Sequence, residues 1–267
     1  MIRMGVVLVG LACLGSPAGA QGPPPAGTPD FKILVANFGV AREPIFTEEL
    51  VAISGRVYQF ASITREVVVI EPVRAQVGLL DIERKLQSEI SFSELEGGLS
   101  RVRATLWREA ERREKTGKRA DAIEAQMTRD LAEPRFAATF EPQARRVRLT
   151  NPTIEVVGDG EPDPDAARLA LVGQSLATVA KLGAFRTPND LPPFAELDGV
   201  AALVVERKLR PTELTYLYRL AGPPRKFRRT YRLAPGLTDR DREAIRRVDR
   251  LREAAPVVRY EKYRGDR

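Results

Sequence analysis

The chain has 267 residues, of which 43% are hydrophobic and 30% charged, with a formal charge of +7. It has no histidine and a single cysteine, Cys13. Ser-His-Asp and Cys-His hydrolysis are thereby excluded, as are zinc sites of the His/Cys kind and c-type haem attachment.

The first 20 residues follow the three-part grammar of an export signal. Arg3 supplies charge, residues 5–15 form an apolar run, and small residues end in Ala18-Gly19-Ala20. The run is shorter than the roughly 20 residues a bilayer-spanning helix needs. The expectation is cleavage between Ala20 and Gln21 and a protein that works in the periplasm or outside the cell. Gly10 stands where a lipidation signal wants a large apolar residue, so Cys13 is expected to leave with the signal. The mature chain then has neither thiol nor imidazole, and no disulfide can form. Residues 21–30, rich in Pro and Gly, read as a disordered leader.

The remainder reads as α+β: a β-α-β unit with a helical-hairpin insertion, then a helix and an antiparallel β-meander. A division near residue 134 gives segments 31–134 and 135–267. Residues 31–38 are an apolar strand. Leu50, Ile53, Val57 and Phe60 have the spacing of one helix face, and Thr47 suits its N-cap, so residues 48–61 are expected to be helical. Residues 66–71 form a second strand closed by Pro72. Leu79, Ile82, Leu86 and Ile90 give another helical stripe, interrupted at Gly97-Gly98 and resumed by Leu99, Val102 and Leu106. The charged run 108–121 has no large apolar residue and reads as the solvated tip of a helical hairpin near Thr116-Gly117, the alternative being one long helix.

Residues 136–140, 145–150 and 153–157 are short strands. The acidic run from Asp159 to Asp165 alternates carboxylates, as calcium loops do, but it carries two prolines and no closing glutamate. It reads as a turn whose Asp165 caps a helix over 166–182. Residues 200–209, 214–220 and 227–233 form the meander; the last two alternate with period two. Thr238 caps a final helix to about residue 254, and residues 260–267 read as a polar, frayed end.

The charge is uneven: 15 basic and 7 acidic residues lie between positions 225 and 267. Arg225, Lys226, Arg228, Arg229 and Arg232 cluster there, with Tyr216, Tyr218, Phe227 and Tyr231 interleaved. In a cytoplasmic protein this would suggest nucleic acid. Export argues against that and points to an anionic envelope component, a membrane surface or a protein partner. The competing reading is an aromatic core face with solvated arginines. No Ser-x-x-Lys, Gly-x-Gly-x-x-Gly or Walker-type loop occurs, so no catalytic residue, cofactor or metal is expected. The leading expectation is an exported, non-catalytic envelope protein that binds another macromolecule or an anionic envelope component. Two alternatives are a histidine-free carbohydrate-active enzyme using Asp and Glu, and an oligomeric scaffold joined through residues 79–131.

Overall fold

The computed structural model describes residues 29–186 and 191–265. The expected signal, with Cys13, Ala18 and Ala20, lies outside the described residues, as does Gln21. Among the described residues 11 strands form one antiparallel sheet. They are β1 (Phe31–Phe38), β2 (Phe46–Ile53), β3 (Arg56–Ala61), β4 (Glu66–Glu71), β5 (Gln76–Asp81), β6 (Leu86–Ser91), β7 (Ala137–Glu141), β8 (Arg146–Thr150), β9 (Ile154–Pro162), β10 (Leu209–Tyr218) and β11 (Arg225–Leu233). The helices are α1 (Phe92–Glu114), α2 (Arg119–Ala132), α3 (Ala166–Arg186), α4 (Phe194–Ala201), α5 (Asp239–Ala254) and α6 (Tyr260–Gly265). The spatial order is β6-β5-β4-β3-β2-β1-β11-β10-β9-β8-β7. The first six strands thus form one half and the last five the other. They meet where β1 pairs with β11, with Val35 opposite Tyr231 and Asn37 opposite Arg229.

The class is α+β, but the β-α-β unit does not form. Residues 48–61 belong to β2 and β3, a hairpin in which Val51 faces Tyr58. The i, i+3, i+7 spacing fits a helix. However, the segment is rich in β-branched and aromatic residues, and Ser54-Gly55 breaks it at the middle. Both turn residues have positive φ, 50° and 77°, the geometry of a two-residue turn matched to strand twist. Thr47 lies within β2 and caps nothing.

The stripe at Leu79, Ile82, Leu86 and Ile90 is likewise a hairpin, β5 with β6, which buries Leu79 and Ile90 on one face. The helical hairpin does form, as α1 and α2, with its tip at residues 115–118 as expected. It starts only at Phe92, where Ser91 and Glu94 make a reciprocal capping box. Gly97 and Gly98 lie inside α1. The charge run becomes local and interhelical pairs: Glu109 with Arg112 and Arg113, Arg113 with Glu124, and Glu114 with Arg129.

Of the expected strand over residues 200–209, only Leu209 lies in a strand, as the first residue of β10. Val200, Leu203 and Val204 are buried at i, i+3, i+4 spacing, a helical face, and they complete α4 and the wider π turn that follows it. Of the expected meander, β10 and β11 remain as a hairpin. Gly158 of β9 makes room for this turn, since a Cβ there would lie 2.9 Å from Leu203 and from Leu214. The chain end is not frayed through residue 265. Tyr263 is 1% exposed, its hydroxyl donates to Glu66 over 2.6 Å, and Tyr260 packs on Phe185. The strands β7 and β8, the helix α3 with its Asp165 cap, and α5 with its Thr238 cap match the sequence reading, whereas β9 runs on through Pro162, so the first part of the acidic run expected to be a turn pairs with β10.

Residues paired across antiparallel strands share a face. One face is covered along both halves. Ile33, Leu50, Ile70, Val156 and Leu214 pack there with Leu95 of α1 and with Leu169, Val172 and Leu176 of α3. The opposite face differs between the halves. Over β2–β5, Val51, Tyr58, Val67, Val69 and Leu80 lie beneath Ile245, Val248 and Leu251 of α5. Burying each of these is worth about 1.5–3 kcal/mol. Over β8–β11 the residues of that face are half-buried or exposed, except Arg210, which pairs with Glu161 and is buried, and none belongs to a core cluster. The β6 edge is closed by the chain after α5: Gln87 N–H donates to Pro256 O, and Val258 N–H to Gln87 O.

Candidate anion-binding face

Alternation along β11 divides the five clustered cations between two faces. Lys226, Arg228 and Arg232 point to the open face, opposite Leu217, Thr215 and Leu34 respectively. Alternate residues on a strand stand about 7 Å apart, so Lys226 and Arg228 are neighbours and Arg232 follows in the same row beyond Thr230. Phe38 of β1 lies beside it, and the Arg228 guanidinium sits 4.1 Å from the Phe38 ring centroid. None of the three forms an ion pair among the described residues.

The neighbouring strands treat their charges differently. Arg146 on β8 binds Asp159 on β9 through two bonds of 2.7 and 2.9 Å. Glu155 receives both Arg148 and Arg219. Glu213 on β10 faces Thr230 and is the carboxylate next to the row. The open face is therefore a ladder of matched pairs over β8–β10 bordered by unmatched cations on β11.

Arg229 faces the other way and is committed to the fold. Its Nε donates to Asn37 Oδ1 over 2.6 Å, and its Nη1 contacts Glu196 of α4. Burial pushes the Arg229 pKa down, but the charge of Glu196 more than restores it and keeps the guanidinium charged. Burial pushes the Glu196 carboxyl up, opposed by Arg229. Arg229 therefore ties the central seam of the sheet to α4. Burial also raises the Tyr216, Tyr218 and Tyr231 phenols. These rings lie in the core, so they offer no stacking platform. Phe227, 37% exposed, packs edge-on against Tyr218. Arg225 is exposed on the same side as Arg229, at the start of the strand.

The buried carboxylates are held by cations. Glu71 accepts from Arg252 over 2.9 Å, Asp241 from Lys32 over 2.8 Å, and Asp163 is bound by Arg168 and approached by Arg210. Glu66 is bound by Arg186. Among the described residues no group of three or more Asp, Glu, Cys or His is arranged to hold a metal ion. No described helix is long and apolar enough to cross a membrane.

Phe38 escaped the sequence reading as a site residue, because its contact with Arg228 depends on a strand pairing across 190 positions. The period-two pattern of residues 227–233 did signal that the cations divide between faces. No protein-family model matches the chain, and no curated protein is similar to it.

Proposed function

We propose that this is an exported, non-catalytic protein of the cell envelope that binds an anionic component of that envelope through the open face of β11. The observation that carries this reading is the row Lys226, Arg228 and Arg232, unmatched by acids on the half of the sheet face where no core cluster forms. Holding unpaired cations side by side costs stability through mutual repulsion, and an anionic partner relieves it. The signal-like residues 1–20 support export. The pairing of the buried carboxylates with Arg or Lys supports a role without acid–base chemistry.

Co-sedimentation with anionic cell-wall polymer, beside a neutral polysaccharide, tests the proposal. Binding to the anionic polymer should weaken steeply with salt, and the neutral one should not bind. Salt-insensitive binding, or binding to neither the anionic polymer nor anionic vesicles, would overturn it.

A further inference from the structure

Among the described residues, four of the eight exposed large hydrophobic side chains lie in or beside three adjacent turns at one end of the sheet. They are Val40 (93% exposed) and Ile45 (64%) in the β1–β2 loop, Ile63 (63%) in the β3–β4 turn, and Phe227 beside the β10–β11 turn. These turns are joined. Ile45 N–H donates to Asn37 O, Ser62 N–H to Thr47 O, and Thr47 N–H to the Ser62 hydroxyl. Val40 and the β10–β11 turn line a shallow cavity of about 270 Å³ with Pro223, Pro224, Arg225, Lys226 and Phe227. Val40 and Ile45 share one loop, Val40 shares the cavity with Phe227, and Ile63 stands in the neighbouring turn, so the apolar groups gather at one end of the sheet. Scattered exposed apolar residues need no explanation, whereas a cluster on one tip does.

Charge identifies what the tip fits. Arg42, Arg225 and Lys226 stand in the same loops, and none forms an ion pair among the described residues. Glu43 is the one acidic residue of the β1–β2 loop. Exposed aliphatic prongs ringed by cations match the interface of a bilayer, where acyl chains take the prongs and anionic headgroups take the cations. A soluble polyanion would satisfy the cations and leave Val40, Ile45 and Ile63 in water.

We propose that the anionic component is a lipid surface, and that this end of the sheet inserts Val40 and Ile45 among its headgroups. This rests on the anion-binding reading above and narrows it. The row Lys226, Arg228 and Arg232 runs from the tip up the open face. In this geometry the tip enters the headgroups and the sheet tilts so that the open face with its row lies against them.

The test places a reporter at the tip. Val40→Trp is made in a Trp107→Phe background, which leaves one indole; Val40 is exposed, so the change disturbs no packing. Vesicles of phosphatidylglycerol and phosphatidylcholine should shift its emission to the blue, and brominated acyl chains should quench it. Pure phosphatidylcholine vesicles should do neither. The double change Val40→Ser with Ile45→Ser, which alters no charge, should weaken vesicle binding by about tenfold or more and leave binding to soluble anionic polymer unchanged. Vesicle binding without a shift at position 40 would overturn the insertion, as would binding to soluble polymer but not to vesicles. Either result would leave the anion-binding reading intact. Binding to neither would overturn both.

Discussion

Over β2–β5 the outward face of the sheet carries Val51, Tyr58, Val67, Val69 and Leu80, and α5 lies on it. Over β8–β11 the same face carries Arg146, Arg148, Glu155, Asp159, Arg228 and Arg232, and no core cluster forms there. The two halves share a backbone geometry and a core on the other side, and they differ in what every second residue is. An antiparallel sheet tolerates water on one face. Alternation of apolar with polar residues therefore marks the open half, and continuous apolar runs such as residues 67–70 mark the sealed one. The difference separates a half whose outer face is used for folding from one whose outer face is left open.

Placing the same charge on each half should break the comparison most visibly. Val69→Asp buries an unpaired carboxylate under α5 and should cost about 4–5 kcal/mol, enough to unfold a protein of ordinary stability. Thr215→Asp, opposite Arg228 on the open face, should change stability by no more than about 0.5 kcal/mol. Urea denaturation of the two variants measures both. Equal losses would mean that the open face is covered in solution.

The seal itself can be probed more gently. Ile245 of α5 is 3% exposed, and Ile245→Ala should cost about 2–4 kcal/mol through lost burial and the cavity left behind. A loss below about 0.5 kcal/mol in the same denaturation assay would show that α5 does not hold the sheet.

Acid should loosen the sealed half. Burial pushes the Asp241 carboxyl up, but hydrogen bonds from Lys32 and Thr238 and the charge of Lys32 outweigh it and leave its pKa below the ordinary 3.8. Burial likewise raises Glu71, and Arg252, Gln76 and Arg56 more than offset it, so its pKa falls below 4.5. A carboxyl whose pKa is lower folded than unfolded stabilises the fold above its unfolded pKa. That contribution is lost as pH falls through the folded value. Thermal melts should therefore show stability declining below about pH 4.5. Asp241→Asn should be less stable than the parent at neutral pH and decline less in acid. A melting temperature flat from neutral pH down to pH 3 would contradict these pairs.

Much of the open half was legible in the sequence. Residues 214–220 and 227–233 alternate plainly, and Thr238 and Asp165 announce the helices they cap. The sealed half was harder, because residues 48–61 satisfy a helical spacing and a strand pattern at once. Two positive-φ residues, Ser54 and Gly55, decide between them. Residues 200–204 show the reverse ambiguity: a short apolar stretch whose buried positions include a helical spacing. The candidate face was half legible. Its cations are conspicuous in the chain, but that Arg229 is consumed by Asn37 and Glu196 depends on contacts spanning 192 and 33 positions.

The most direct measurement compares equal losses of charge from the two halves. One variant replaces Lys226, Arg228 and Arg232 with Ala; the other replaces Arg240, Arg246 and Arg247, three exposed residues of α5. Affinity for an anionic surface is then read by titration at low salt. At roughly 1 kcal/mol per cation, the β11 variant should bind about 100-fold more weakly and the α5 variant close to normally. Equal weakening of both would mean that net charge, and not the open face, does the binding.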